Sequence, residues 1–165
     1  MYPCEPVGVE FIHDAPYRIV NSIELPILPS QLFDVLTDVD AWPQWFEVIT
    51  RAAWTSAGPH GIGSTRTIVM RGDVAATEQF LAWKPNSHLI FRFNDCSNPN
   101  VRASAEEYRI EPTTDGCRLT WTMAQNPVGA SWLMGILIRR IMNRTYRNAL
   151  VELQRYTARR FGTVL

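Results

Sequence analysis

The stretch Ile23-Glu24-Leu25-Pro26-Ile27-Leu28-Pro29-Ser30-Gln31-Leu32-Phe33-Asp34-Val35-Leu36-Thr37-Asp38-Val39-Asp40-Ala41-Trp42-Pro43-Gln44-Trp45 changes its hydrophobic period partway along. Up to Leu25 the chain alternates imperfectly, Ile19, Ile23 and Leu25 sharing one face, and Pro26 and Pro29 end that run, so residues 18–25 are predicted as a strand. Beyond the prolines the period lengthens. Ser30 offers an N-cap, and Leu32, Phe33, Leu36 and Val39 recur at helical spacing, predicting a short helix to about Asp38. A second helical turn is expected from Ala41 to Trp45, where Pro43 falls at a position that needs no N–H donor.

Downstream, strand-like runs cover 48–55, 64–71, 74–83, 88–93, 101–110 and 118–123. Turn residues separate them: Gly58-Pro59 with Gly61 and Gly63, the pair Gly72-Asp73, Pro85-Asn86-Ser87, Ser97-Asn98-Pro99-Asn100, and Thr114-Asp115-Gly116. These connections are too short for crossover helices, so neighbouring strands should pair antiparallel. With the first strand they make a seven-stranded sheet. After Asn126-Pro127 the pattern becomes one helix from about residue 129 or 130 to about Arg160. Its second half is amphipathic, with Met142, Tyr146, Leu150 and Leu153 opposite Arg140, Arg144, Arg147 and Arg155. Its first half, containing Trp132, Leu133, Ile136 and Leu137, is apolar nearly all round and should be covered on more than one side.

Composition narrows the function classes. The 165 residues are 46% hydrophobic, with 16 basic and 16 acidic side chains, which suits one compact domain and not a disordered segment. A zero net charge argues against a general nucleic-acid binder. From Val128 onward, however, seven arginines stand against the single acid Glu152. Cys4, Cys96 and Cys117 are odd in number and have no Cys-x-x-Cys spacing, so reduced thiols in a cytoplasmic protein are expected, without a disulfide framework or a metal site. No long apolar run precedes Arg18, which reads against a signal peptide. The apolar stretch 128–138 is about half of the roughly 20 residues a spanning helix needs. Residues 1–16, with Pro3, Pro6, Gly8 and Pro16, read as a loosely attached N-terminal extension before a single domain at 17–165.

A strand, two short helices, six antiparallel strands and a long C-terminal helix form an α+β order in which a bent sheet wraps a helix. The opening stretch, the Gly61-x-Gly63 entry to a strand, and the hairpin from Tyr108-Arg109-Ile110-Glu111-Pro112 to Asp115-Gly116-Cys117-Arg118-Leu119-Thr120-Trp121 together resemble the START-like, or Bet v 1-like, superfamily. The likeness is to its polyketide cyclase/dehydrase and lipid transport branch and spans about residues 17–160. It implies a helix-grip fold: a seven-stranded curved antiparallel sheet around the C-terminal helix, with a ligand cavity between them and no cofactor. Members include carriers and enzymes, so the resemblance speaks for fold more than for chemistry.

Strand parity then nominates the cavity wall. Leu119, Trp121 and Met123 share a face on the last strand, as do Leu89, Phe91 and Phe93 on another, and Tyr108 and Ile110 on a third. Trp45 and Phe46 from the short helical region, Met70, and Leu133, Ile136, Met142 and Tyr146 from the long helix are expected to complete it. Aromatic and methionine stripes by themselves describe a solid core; the resemblance is what makes them a wall.

No catalytic constellation stands out. His13, His60 and His88 have no companions at metal spacing, and His88 is expected to be exposed. Asp38 and Asp40 suit capping and turn duties. Glu106 and Glu107 point to opposite strand faces; one of them, with Arg109, Arg92 or Arg66, is a candidate buried polar anchor, and surface pairing is the favoured reading. Gly61-Ile62-Gly63 lacks the third glycine and the setting of a nucleotide fingerprint. The leading expectation is a protein, monomeric or homodimeric, that encloses a small hydrophobic ligand such as a lipid, a polyketide-like aromatic or an isoprenoid. A second is an aromatase/cyclase-like enzyme in which Tyr108, Tyr146 and whichever of Arg66, Arg92 or Asn94 reaches inside stabilise an enolate or supply a proton. A third is an interaction module whose arginine-rich helix face meets an acidic partner or, peripherally, a membrane.

Overall fold

The computed structural model describes residues 1–129 and 132–163, with the backbone alone for 132–138. In chain order the elements are β1 (Tyr2–Pro3), α1 (Phe11–Asp14), β2 (Tyr17–Leu25), α2 (Pro29–Thr37), α3 (Trp42–Trp45), β3 (Ile49–Trp54), β4 (Thr65–Met70), β5 (Val74–Lys84), β6 (His88–Cys96), β7 (Val101–Thr113), β8 (Gly116–Pro127) and α4 (Trp132–Phe161). Seven strands form one curved antiparallel sheet in the order β2-β8-β7-β6-β5-β4-β3. α4 packs against β2 and α3. The α+β order and the antiparallel pairing expected from the short turns are both present.

The short helix starts one residue before the expected cap. Leu28, not Ser30, is the N-cap, and its N–H donates to Gln31 Oε1 at 2.9 Å. Pro29 explains the difference, because its fixed φ and missing N–H suit the first helical position and draw the helix start back onto it. At the far end Asp38 Oδ1 accepts from the Asp40 N–H at 3.1 Å, the turn duty expected of that pair.

Residues 2–15 are not loosely attached. The β6–β7 ladder runs from His88↔Arg109 to Arg92↔Ala105, and beyond it the N-terminal segment occupies the gap. There β1 pairs with the end of β6, the Cys4 N–H donates to Asn94 O at 2.9 Å, and the Glu5 N–H donates to Arg102 O of β7 at 2.8 Å. α1 then lies on the outer face of the sheet. Its fully buried Ile12 joins Ala15, Ile90, Ala105 and Ala124 in a small second cluster, so this segment covers the outside of β6, β7 and β8. Prolines and glycines mark irregular backbone, but irregular backbone can still fill a gap in a sheet.

Register shifts decide which side chains face inward. Between Thr77 and Glu78 the β5–β6 pairing skips Asn94, and between Phe80 and Ala82 it skips Leu81. Another shift falls between Val101 and Ala103. Each extra residue flips the parity beyond it, so Phe93 and Cys96 are both buried on one strand in spite of their odd spacing, facing the evenly spaced Ala76, Glu78 and Phe80 of its neighbour.

The β7–β8 turn is also tied to the end of β2. Gly116 has φ +154°, and a Cβ there would stand 2.1 Å from Leu25 O and 2.9 Å from Ile27 N. Replacing Gly116 with Ala is therefore expected to destabilise the protein by more than the roughly 1 kcal/mol of an ordinary Gly-to-Ala strain, because two backbones must separate. Denaturant unfolding checks this, and an unchanged midpoint would contradict the close approach.

Candidate functional site

On β7 the alternate residues Ser104, Glu106, Tyr108 and Ile110 are buried facing α4. Glu106 is therefore inside, against the expectation of surface pairing. The strand places it beneath the helix, where three side chains donate to it. Tyr108 Oη and Trp121 Nε1 each reach Oε2 at 2.8 Å, and Tyr146 Oη of α4 reaches Oε1 at 2.7 Å. Burial raises this carboxyl's pKa, although the hydrogen bonds from Tyr146, Tyr108 and Trp121 and the charge of Arg66 pull the other way. The same burial, with Glu106 beside them, lifts Tyr108 and Tyr146 well above the ordinary phenol value, so both hydroxyls remain donors.

A second buried acid lies across the sheet. Of the three residues proposed to reach inside, Arg66 does so and is fully buried, with Nε donating to Glu78 Oε2. Its Cζ lies 4.4 Å from the Trp42 ring centroid, 4.8 Å from Phe91 and 5.2 Å from Phe80, so aromatic faces enclose the cation. Burial pushes the Glu78 carboxyl up to about 7 in spite of the pull of Arg66. Arg92 and Asn94 lie on the other face, where Arg92 bonds Asn94 Oδ1, Val7 O and Gln79 Oε1. There too Glu107 accepts from Arg109 at 3.0 Å and lies 2.8 Å from His88 Nε2, which is thereby half-buried and paired. Burial would raise Glu107, but the bonds from His88 and Arg109 outweigh it and hold the carboxyl below its usual range.

Between the sheet and α4 lies a cavity of about 440 Å³. Ile49, Ile68, Met70, Phe93, Met123 and Met142 give it apolar walls. Glu78, Glu106 and Tyr146 stand at its inner end, and Asn98, Asn100 and Gln125 at the other. Of the residues expected to form the wall, Phe46, Met70, Phe91, Phe93, Met123, Met142 and Tyr146 line it. Trp45, Tyr108, Ile110, Leu119 and Trp121 do not; they are buried beyond its inner end, where Trp121 packs 4.4 Å from Tyr146 and 5.1 Å from Tyr108 between ring centroids. At that end sheet and helix are in contact and leave no space. The side chains of Leu133 and Ile136 lie outside the described residues.

Sequence reasoning missed Glu78 and Trp42. A signal existed for the former: alternation from Arg66 to Met70 sets an arginine on the same face as Ile68, and Glu78 shares a face with Ala76 and Phe80. A charged residue on each of two adjacent apolar faces is the pattern of a buried ion pair.

Comparison with known proteins places this geometry. Residues 16–158 match the family described as polyketide cyclase / dehydrase and lipid transport. The uncharacterized proteins Mb2604 of Mycobacterium bovis and Rv2574 of Mycobacterium tuberculosis are each 47% identical over 162 residues, 98% of this chain and 97% of theirs. Among solved structures, a START superfamily protein from Mycobacterium smegmatis superposes with a TM-score of 0.73 at 12% identity, over 86% of this chain and 97% of that one. The di-domain ARO/CYC StfQ of the steffimycin biosynthetic pathway also gives 0.73 at 12% identity, over 93% of this chain and 55% of that one. At such identities the likeness is one of fold.

Glu78 makes a pH-dependent contribution whose sign follows from its environment. The folded carboxyl holds its proton up to about pH 7, whereas 4.5 is its ordinary value, so its contribution to stability is complete below 4.5 and is lost as pH rises through about 7. The melting-temperature advantage of the wild type over Glu78→Gln should shrink across that interval. A difference independent of pH would show that Glu78 titrates as an ordinary exposed acid.

Proposed function

Because the chain belongs to the polyketide cyclase/dehydrase and lipid transport family, we propose that it encloses one small hydrophobic ligand, a lipid, polyketide-like aromatic or isoprenoid, between its sheet and its C-terminal helix. The observation that carries this reading is the cavity of about 440 Å³ with apolar walls and carboxyl groups at one end. Its size falls within the roughly 300–1,000 Å³ of small-molecule sites, and a few convergent polar groups in an apolar wall suit a ligand that is apolar along its length and polar at one point. Phe46, Met70, Phe93, Met123 and Met142 would pack the ligand body. Glu78 spends Oε2 on Arg66, and among the described residues its Oε1 accepts no hydrogen bond, so a ligand hydroxyl or enol has an acceptor there.

One observation favours an enzymatic variant of this reading. A carboxyl raised to about 7 at the wall of an apolar cavity is poised to take and return a proton near neutral pH, as cyclisation or dehydration of a poly-ketone requires. Tyr146, whose hydroxyl hydrogen is given to Glu106, would accept through its oxygen from a ligand hydroxyl or enol and so position it beside Glu78. In the enzymatic variant Tyr146→Phe lowers turnover; in a carrier it alters affinity alone.

Native mass spectrometry of protein purified without detergent tests enclosure, followed by identification of whatever denaturation releases. A stoichiometric apolar adduct is the expected result. Met142→Trp, which fills the cavity from the half-buried helix side, should remove that adduct and weaken binding of an apolar fluorescent probe by about tenfold or more, a change of about 1.4 kcal/mol. Unchanged probe binding in a folded Met142→Trp protein would place the ligand elsewhere.

A further inference from the structure

The face of α4 turned away from the cavity carries a different chemistry. Arg140, Asn143, Arg144, Arg147, Asn148 and Val151 recur at intervals of three and four residues, and helical periodicity stacks them in one stripe. Between this stripe and the edge strand β2 runs an open groove of about 560 Å³, with Asn21, Ser22 and Ile23 on the opposite wall and Leu150 contributing to its floor.

Three features set this groove apart from an ordinary solvated helix face. Among the described residues Arg140, Arg144 and Arg147 have no carboxylate within ion-pair distance, a state they share with Arg18, Arg51, Arg92, Arg139 and Arg159, but these three converge on one groove. No acidic side chain lines the groove among the described residues. Asn21 Nδ2 donates to Asn143 Oδ1 at 3.0 Å, which orients the Asn143 amide, and among the described residues its NH2 hydrogens have no acceptor.

We propose that this groove is a second binding site, separate from the cavity, for a phosphate-bearing ligand. Three cations on successive turns of one helix repel one another, and an occupant that relieves the repulsion must bring more than one negative charge in a compact group. A phosphate monoester or a diphosphate does so, and its oxygens match the planar fork of arginine better than a single carboxylate can. Ile23, Leu150 and Val151 give the groove an apolar strip, so the ligand also carries a short apolar portion. The phosphate belongs either to a free organic phosphate or to a lipid headgroup, and experiment separates the two.

Inorganic diphosphate titrated calorimetrically at low ionic strength is the first probe, and sedimentation with phosphatidylcholine vesicles with and without phosphatidylglycerol is the second. The double variant Arg144→Gln/Arg147→Gln alters exposed side chains and should fold, as near-ultraviolet circular dichroism can verify. Saturable one-to-one binding of diphosphate, weakened about tenfold or more in the double variant and unaffected by Arg159→Gln, supports a site for a free phosphate. Sedimentation that requires phosphatidylglycerol and is lost in the double variant, without diphosphate binding, supports the headgroup. Binding to neither probe overturns the proposal. Equal weakening by Arg159→Gln overturns it too, because diffuse positive charge would then account for the effect.

Discussion

A guanidinium sealed from water needs its counter-charge and its hydrogen-bond acceptors supplied by the protein, and Arg66 sets that demand at the centre of this molecule. Glu78 meets part of it from the neighbouring strand by accepting from Nε, Trp42, Phe80 and Phe91 enclose the cation with ring faces, and the buried Nη1 has no hydrogen-bond partner among the described residues. The pairing depends on register. Arg66 faces Glu78 because the hairpin between them closes on Gly72 and Asp73, both at positive φ, and a slip by one residue would turn one partner outward and leave the other buried alone. Stranding one member of such a pair costs about 3–5 kcal/mol, a large share of a small domain's stability. A three-residue turn on the surface, Arg71 to Asp73, thus determines the polar character of the cavity's inner end.

The fold was legible because its signals are local. The change of period between Leu25 and Leu32, the turn residues between strands and the long C-terminal helix each depend on near neighbours in sequence, and from β2 onward each element lies within a few residues of its expected place, whereas β1 and α1 were read as a loose extension. The cavity was less legible. Parity correctly put Leu119, Trp121 and Tyr108 inside, yet it cannot say how far along a strand the sheet and the helix part company, and these residues lie where the two are still in contact. Bulges added a second difficulty: the skipped residues Asn94 and Leu81 reverse the alternation, so Cys96 joins Phe93 on the inner side although their spacing is odd. Glu106 was misjudged because its acceptors are filled by Tyr108, Trp121 and Tyr146, the last of them forty residues downstream.

α4 divides its duties by face. Met142 and Tyr146 close the cavity, while Arg140, Arg144 and Arg147 stand in the groove toward β2, so a single helix separates an apolar interior from a cationic exterior. Neither face depends on the other for its chemistry. The fold permits this because the sheet curves around one side of the helix only and ends at β2, leaving the far side of the helix to solvent.

The wedge formed by residues 2–5 bears on the order in which the chain can assemble. These residues are synthesised ahead of their partners, for the backbone groups they bond belong to residues 94–102. Until residues 94–102 have been made this segment has no partner, and the split end of β6 and β7 stays open until it docks. This segment must therefore wait for β6 and β7 before it can dock, and anything that holds it back during translation leaves a seam in the wall of the cavity.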